Sequence, residues 1–357
     1  MPASSLPPVK HWPAGTPRPE VAPADAPACP GLRVVSAGAS ALGESPVWDA
    51  ASRSLLWVDI AGRQLHCLHT PSGEQRDWVL PEEPGCIGLV AEDGTSDNAA
   101  RTCPRSVVMA LRSGFHRFDL DRAALERLSG PLFDTSRYRF NDGAVDPHGR
   151  FWAGTLFEPK GEASAGLYCL DRGQARAVSG PGAAAPPWRD WGVTTSNGLA
   201  FSPDARIMYH SDTPAHVVYA HDFDVADGSI ANRRIWWQAR ADRQAHDYGG
   251  RPDGAAVDSD GCYWSAQYEG SRVLQLSPDG RILRALALPV RCPTMVAFGG
   301  PGLRTLYITS AREGRPVPEL QALPLSGWVL ALEVDAQGLP AGRYRADDAA
   351  NSRGQKT

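Results

Sequence analysis

The chain has 357 residues, of which 42% are hydrophobic and 21% charged, and its formal net charge is −4. No run of about 18 apolar residues occurs, which excludes a membrane-spanning helix. Both signs of charge are interspersed, so no basic stripe indicates a nucleic-acid partner. Seven cysteines without a C-x-x-C pair cannot complete a disulfide framework, and they favour a reducing, cytoplasmic compartment.

The first 31 residues are rich in proline and alanine, and they lack the basic start and continuous apolar stretch of a secretory signal. Proline at this density removes backbone donors and disfavours both helix and sheet. The composition therefore predicts a disordered N-terminal tail over 1–31, whose role the sequence leaves open. Residues 351–357 are predicted to be a polar C-terminal tail, and 32–350 to form one domain.

Within 32–350, short segments rich in Val, Ile, Tyr, Trp and Thr recur between turn signals. In chain order the clearest are SLLWVDI (54–60), RFWAGTL (150–156), IMYHSDT (207–213), CYWSAQY (262–268) and TLYITSA (305–311). These residue types suit a pleated, half-buried surface, so each segment is predicted to be a strand. Most follow a turn of Gly, Pro and Asp and precede a further strand. The only segment compatible with a short helix is DRAALERL (121–128).

These segments group into six repeated units of four strands. The units open near Glu44, Cys86, Asn141, Asn197, Asp253 and Thr294. Six four-stranded sheets around one axis form a β-propeller, so the predicted fold class is an all-β, six-bladed β-propeller. The segment LRVVSAG (32–38) is predicted to be the outer strand that closes the ring.

Four of the units open on a side chain with a carboxylate or carboxamide oxygen: Glu44, Asn141, Asn197 and Asp253. Two successive intervals between the last three are equal, at 56 residues each. Because innermost strands line the channel of a propeller, these side chains are predicted to meet at one mouth. Oxygen ligands suit hard divalent ions, so the register predicts a metal site. The pairs Asn197-Gly198 and Asp253-Gly254 are alternatively ordinary hairpin turns. Five residues beyond three of the openings, aspartates are predicted to brace turns: Asp49, Asp146 and Asp258.

The chain resembles the gluconolactonase/regucalcin (senescence marker protein) family of six-bladed propellers. The resemblance spans about residues 42 to 335 and rests on five stretches: LGESPVWDAASRSLLWVDIAGRQLH, RFNDGAVDPHGRFWAGTL, SNGLAFSPDARIMYHSDT, RPDGAAVDSDGCYW and AFGGPGLRTLYITSAR. By motif, the family's metal ligands fall on Glu44, Asn197 and Asp253. Its R-x-N-D motif implies that Arg139 and Asn141 contact the substrate. A further acidic contact before AGLY falls on Glu158 or Glu162, and the resemblance does not choose between them.

This resemblance implies hydrolysis of a sugar (aldono-)lactone to its aldonic acid, in carbohydrate catabolism, with one divalent metal ion. The identity of the ion (Ca, Zn, Mn, Mg or Fe) and of the sugar stay open. Following the family, Asp253 is the expected catalytic proton shuttle; the alternative is a metal-bound hydroxide, with Asp253 only holding the ion. Two other functions are alternatives: a phosphotriesterase-like metal hydrolase and a non-catalytic calcium-binding propeller. The expected partner is a small sugar lactone, with neither nucleic acid nor membrane, on a monomer or small homo-oligomer.

Overall fold

The computed structural model describes residues 9–21, 29–92, 101–159, 161–180, 183 and 191–346. Six sheets follow one another along the chain, and in each sheet the consecutive strands are antiparallel, hydrogen-bonded neighbours. The innermost strands of successive sheets contact one another around the axis. The predicted all-β, six-bladed β-propeller is therefore confirmed. Within the described part of the chain, no helix is long and apolar enough to cross a membrane.

The elements, in chain order, begin with two short strands, β1 (Lys10–Trp12) and β2 (Arg33–Val34). Blade 1 comprises β3 (Gly43–Asp49), β4 (Ser54–Asp59), β5 (Gln64–His69) and β6 (Glu74–Val79). Blade 2 comprises β7 (Pro84–Val90), β8 (Ser106–Leu111), β9 (Gly114–Asp119) and β10 (Ala124–Arg127). Blade 3 comprises β11 (Tyr138–Val145), β12 (Phe151–Phe157), β13 (Leu167–Asp171) and β14 (Gln174–Ser179).

Blade 4 comprises β15 (Ser196–Phe201), β16 (Ile207–Asp212), β17 (Val217–Asp224) and β18 (Ser229–Gln238). Blade 5 comprises β19 (Arg251–Val257), β20 (Tyr263–Tyr268), β21 (Arg272–Leu276) and β22 (Ile282–Ala287). Blade 6 comprises β23 (Cys292–Gly299), β24 (Thr305–Ala311) and β25 (Leu330–Glu333). A 3-10 helix (Pro301–Leu303) and the helix α1 (Val317–Ala322) lie within this blade's connections, and β26 (Arg343–Tyr344) follows it.

The ring is closed by pairing between the two ends of the propeller. Strand β2 pairs antiparallel with β25, with Arg33 opposite Ala331 and Val34 opposite Leu330. This pairing confirms that the predicted segment closes the ring, although only Arg33–Val34 of 32–38 form the outer strand of blade 6. Near the other end, β26 adds to blade 2 in parallel with β7. Both pairings join segments distant in the sequence, which limits the number of exposed sheet edges.

Large aromatic side chains fill the spaces between neighbouring blades. Trp152 of blade 3 packs edge-on against Phe201 and Phe223 of blade 4, and Trp264 of blade 5 packs edge-on against Phe298 of blade 6. Both tryptophans are fully buried. Burial of one such side chain stabilises the fold by roughly 1.5–3 kcal/mol or more, so the blade interfaces hold the innermost strands in place.

The aspartates predicted to brace turns do so. Asp146 accepts hydrogen bonds from the backbone nitrogens of His148 and Arg150 and from Trp152 Nε1, each at 2.9 Å. Asp258 accepts from the backbone nitrogen of Cys262 and from Trp264 Nε1, each at 2.8 Å. In blades 3 and 5, one aspartate therefore both shapes the turn and orients the buried tryptophan of the blade.

Part of the segment predicted to be a disordered tail is ordered against blade 1. Strand β1 pairs antiparallel with β6, and Trp12 Nε1 donates a hydrogen bond to Asp77 Oδ2 at 2.6 Å. Arg18 Nε donates to the carbonyl oxygen of Val35 at 2.7 Å. The prediction of disorder is therefore wrong for 9–21, because the proline-free stretch 9–12 keeps the backbone donors that an edge strand needs. Residues 29–31 of the predicted tail are ordered as well, since Cys29 is buried in the hydrophobic core. Residues 1–8, 22–28 and 351–357 lie outside the described residues, and the domain boundaries 32–350 stay a prediction.

The one segment judged compatible with a short helix, 121–128, is not helical. Residues Ala124–Arg127 form β10, which pairs antiparallel with β9. The preceding turn is held by Asp119 Oδ1, which accepts from the backbone nitrogens of Asp121 and Arg122 at 3.0 and 2.9 Å. Hairpin pairing and this aspartate turn outweigh the helix propensity of alanine, leucine and glutamate, which is a weak preference.

Candidate active site

The innermost strands bring the predicted site residues to one cavity of about 730 Å³ at one mouth of the channel. Its lining includes all five of them: Glu44, Arg139, Asn141, Asn197 and Asp253. In blades 1, 3, 4 and 5 the pairing register shifts beside or across these residues, as in a β-bulge. Bulges re-aim side chains, so this repeated irregularity turns the polar groups toward the cavity.

The alternative that Asn197-Gly198 and Asp253-Gly254 are hairpin turns is wrong, because both pairs lie inside innermost strands. Gly198 has a φ of 55°, and a Cβ there would clash with the hydroxyl of Tyr263. A Cβ on Gly254 would lie 2.5 Å from Cβ of Met295. Glycine is therefore needed at both positions for close approach of neighbouring groups. At the matching position of blade 1, Ser45 also has a positive φ, of 48°.

A chain of side-chain hydrogen bonds links blades 3, 4 and 5 across the site. Arg139 Nη1 donates to Asn141 Oδ1 at 2.8 Å, and Asn141 Nδ2 donates to Asn197 Oδ1 at 3.0 Å. Asn197 Nδ2 in turn donates to Asp253 Oδ1. Asn141 Nδ2 also donates to the carbonyl oxygen of Ser196 at 2.9 Å. Because each group is held by the next, their orientations are set before any ligand binds.

Two buried carboxylates meet in this cavity. Glu44 and Asp253 are 5% and 4% exposed. Burial raises the pKa of Asp253 to about 7. Burial, followed by the charges of Asp253 and Asp142, raises the pKa of Glu44 well above its ordinary value. Glu44 Oε1 and Asp253 Oδ2 accept no hydrogen bond from any residue that the structure describes.

This donor set fits a hard divalent cation. Like charges buried together are costly unless a cation or hydrogen bonds compensate them. The two free carboxylate oxygens, with the amide of Asn197, offer oxygen ligands of the kind such ions prefer. Among the described residues no cluster of three or more His, Cys, Asp or Glu suited to a metal occurs. The site here differs from such a cluster because one of its three members is an amide.

Several polar residues at the site were not predicted, among them Thr213 in the cavity lining and Asp142 beneath it, whose charge acts on Glu44. Asp142 is 2% exposed, accepts from the backbone nitrogen of Leu199 at 3.0 Å, and has a pKa raised to about 6 by burial. The hydroxyl oxygen of Thr213 lies 2.8 Å from Asn197 Nδ2 and 3.1 Å from Asp253 Oδ1. Asp142 directly follows Asn141 in the motif, which was the available signal. Thr213 directly follows a second strand, outside the register that revealed the others.

Neither acidic candidate before AGLY lines the cavity. Glu158 forms a two-point ion pair with Arg112, at 2.9 and 2.6 Å, which lowers the pKa of the Glu158 carboxyl. Glu162 lies exposed in the loop beyond it. A substrate contact from either residue therefore stays unassigned. The pair between Glu158 and Arg112 instead borders the strand that carries Arg139.

Sequence comparison matches residues 42–312 to the family described as the SMP-30/Gluconolactonase/LRE-like region. A 6-deoxy-6-sulfogluconolactonase of Pseudomonas putida is 45% identical over 308 residues, which cover 86% of this chain and 96% of that protein. Regucalcin of Oryctolagus cuniculus is 32% identical over 305 residues, covering 85% and 94%. The crystal structure of a regucalcin from Agrobacterium tumefaciens superposes with a TM-score of 0.76 at 24% identity, covering 87% of this chain and 96% of that one.

Proposed function

Because this chain belongs to the SMP-30/gluconolactonase/LRE-like family and is a sugar lactone hydrolase, we propose that it uses one divalent metal ion to open its substrate. Glu44, Asn197 and Asp253 would hold the ion. The observation that carries this proposal is the pair of buried carboxylates with free oxygens in a cavity that also presents a guanidinium. The product would be an aldonic acid, formed in carbohydrate catabolism. A cytoplasmic location is supported by the seven cysteines, all of which are free thiols.

When bound, such an ion supplies Lewis acidity, which polarises the ester carbonyl of the lactone. The carboxylate of Asp253 has two distinct oxygens. Its Oδ1 is fixed by Asn197 and faces the hydroxyl of Thr213, whereas its Oδ2 accepts no hydrogen bond within the described chain. Oδ2 is thus the oxygen of Asp253 that would serve both roles: one of its lone pairs would hold the ion, and the other would take a proton from the attacking water. As the bond between the carbonyl carbon and the ring oxygen breaks, the same proton passes to the ring oxygen, which leaves as a hydroxyl.

Arg139 and Asn141 would orient the hydroxylated ring. Arg139 uses Nη1 for Asn141 Oδ1 and the carbonyl oxygen of Phe140, and its Nη2 and Nε have no hydrogen-bond partner in the described regions. Those donors are available to substrate hydroxyls. Both amide hydrogens of Asn141 are used by Ser196 and Asn197, so Asn141 can contact a substrate only as an acceptor.

The two rival functions make different demands on this cavity. A phosphotriester lacks the hydroxyl groups that would pair with the free donors of Arg139, and a buried donor left unpaired costs roughly 1–3 kcal/mol. A purely structural ion requires no guanidinium beside it. The Pseudomonas putida relative is named for a sulfonated lactone. We therefore include 6-deoxy-6-sulfogluconolactone with gluconolactone among the substrates to test.

The test compares proton release from both lactones with cleavage of a nitrophenyl phosphotriester, at one pH and corrected for spontaneous hydrolysis. Arg139→Ala should lower kcat/KM for the lactones by about 10- to 100-fold, as expected when hydrogen bonds to a charged donor are lost. The same variant should change kcat/KM for the triester little. Its metal content should be unchanged. Arg137→Ala is the matched control, since this exposed arginine lies two residues earlier and outside the cavity lining. A wild type that prefers the triester, or equal losses on both substrates, would overturn the proposal.

A further inference from the structure

Three arginines surround one glutamate beside the same cavity. Arg243 lies in the connection between β18 and β19, Arg251 is the first residue of β19, and Arg315 lies between β24 and α1. All three donate to Glu269, which follows β20. We call Arg243, Arg251 and Arg315 the arginine cluster. Of these four residues, Arg243, Arg251 and Glu269 line the cavity itself.

Glu269 accepts a hydrogen bond from each of the three guanidinium groups and so fixes their orientation. Arg243 Nη2 and Arg251 Nη2 donate to Glu269 Oε2 at 2.6 and 2.9 Å, and Arg315 Nη1 donates to Oε1 at 3.2 Å. Arg315 also pairs with Glu319 at 2.7 and 2.6 Å. Three guanidinium groups therefore share two carboxylates, and the cluster keeps an excess of positive charge.

The excess positive charge borders the cavity, because Arg243 and Arg251 both line it. Arg243 and Arg251 each donate a single hydrogen bond within the part of the chain described, to Glu269. Arg251 Nε is buried there without any hydrogen-bond partner. Guanidinium groups bind sulfonate and phosphate oxygens with strong, charge-assisted hydrogen bonds. Arg251 Nε is closed off from the cavity, but Nη1 of Arg251 and the unused donors of Arg243 match a ligand with several anionic oxygens.

We propose that the arginine cluster binds a tetrahedral anionic group, a sulfonate or a phosphate, on the terminal carbon of the sugar lactone, the end of the carbon chain opposite the carbonyl carbon. This inference rests on the proposed function, since it assigns the other end of the same substrate. Arg251 precedes Asp253 by two residues on β19, and two residues of extended strand span roughly 7 Å. One six-carbon sugar can thus reach both the carboxylates and the cluster.

The chain offers a matched pair of variants. Arg243 and Arg240 lie in the same connection, with side chains 56% and 58% exposed, and each pairs with one carboxylate, Glu269 or Asp247. Of these two arginines, only Arg243 lines the cavity.

The wild type should favour 6-deoxy-6-sulfogluconolactone or 6-phosphogluconolactone over gluconolactone. Arg243→Gln should lower the ratio of anionic to neutral kcat/KM about tenfold, mainly through KM, as expected for a lost hydrogen bond to a charged group. Arg240→Gln should keep the wild-type ratio.

A binding measurement separates this inference from the proposed function. Calorimetry with the open-chain acids 6-deoxy-6-sulfogluconate, 6-phosphogluconate and gluconate needs no catalysis, and the tighter of the two anionic acids identifies the group recognised. If no lactone is opened but an anionic acid binds and Arg243→Gln weakens it, the proposed function fails and the cluster's assignment stands. If lactones are opened without preference and the three acids bind alike, the assignment is overturned and the lactonase stands. The assignment is also overturned if Arg243→Gln lowers kcat/KM equally for all lactones and has a lower Tm than Arg240→Gln. That result would show that Arg243 only stabilises the fold.

Discussion

Replacing Asp253 with asparagine should stabilise the metal-free protein while abolishing the proposed metal binding. The folded-state pKa of Asp253, about 7, lies above the ordinary value of 3.8, so folding favours the protonated carboxyl. The contribution of Asp253 to the free energy of unfolding is therefore most favourable below about pH 4, and this advantage is lost as the pH rises through 7. Asparagine stays neutral at every pH, and its Oδ1 can still accept from Asn197 and Thr213.

The size of the effect follows from that pKa. At about 1.4 kcal/mol for each pKa unit, an ionised Asp253 costs the metal-free fold about 4 kcal/mol at pH 8. At pH 5 the cost is about 2 kcal/mol or less, because the folded-state carboxyl is protonated. Asp253→Asn should therefore raise the free energy of unfolding by several kcal/mol at pH 8 and by clearly less at pH 5. A divalent ion should stabilise the wild type and not the variant.

Urea unfolding of chelator-treated proteins at the two pH values measures this difference. Asp335→Asn is the control, because it makes the same change of charge on a side chain that is 99% exposed. The reasoning is refuted if Asp253→Asn is no more stable than the wild type at pH 8. A gain that is equal at pH 5 and pH 8 would refute it as well, since it could not arise from ionisation.

Two further predictions concern the ordered N-terminal segment and the support of the site. Deleting residues 1–21 should lower the free energy of unfolding by about 1–3 kcal/mol, because β1 and the Trp12 hydrogen bond to Asp77 are lost; an unchanged urea midpoint would contradict this. Thr213→Val should lower lactone kcat/KM about tenfold by removing a hydroxyl beside Asn197 and Asp253. Thr213→Ser should restore activity, and equal losses in both variants would contradict a role for the hydroxyl.

The register of the repeat was enough to predict that four oxygen-bearing residues share the cavity. A propeller converts equivalent positions in successive units into neighbours around one axis, so the sequence alone groups Glu44, Asn141, Asn197 and Asp253. The side-chain partnerships could not be predicted in the same way. The bulges in the innermost strands decide where each group points, and the sequence gives no direct measure of a bulge.

Residues outside the repeat were missed for different physical reasons. Arg243 and Arg315 lie in connections between strands, where no register relates one blade to the next. Thr213 reaches the site from the end of a second strand, and its hydrogen bonds depend on the spacing of two blades. Strand β1 was hidden because composition averaged over 31 residues conceals a short proline-free stretch.

The most direct test of the metal-dependent mechanism measures proton release from gluconolactone and 6-deoxy-6-sulfogluconolactone by one wild-type preparation. The preparation is assayed before chelation, after removal of the chelated metal, and after add-back of Ca²⁺, Mg²⁺, Mn²⁺ or Zn²⁺. We expect activity to fall to the spontaneous rate without metal and to return in proportion to one bound ion per chain. The triple variant Glu44→Ala, Asn197→Ala, Asp253→Ala should bind no ion and stay inactive. Full lactone hydrolysis by the metal-free protein, or unchanged metal stoichiometry in the triple variant, would contradict the account.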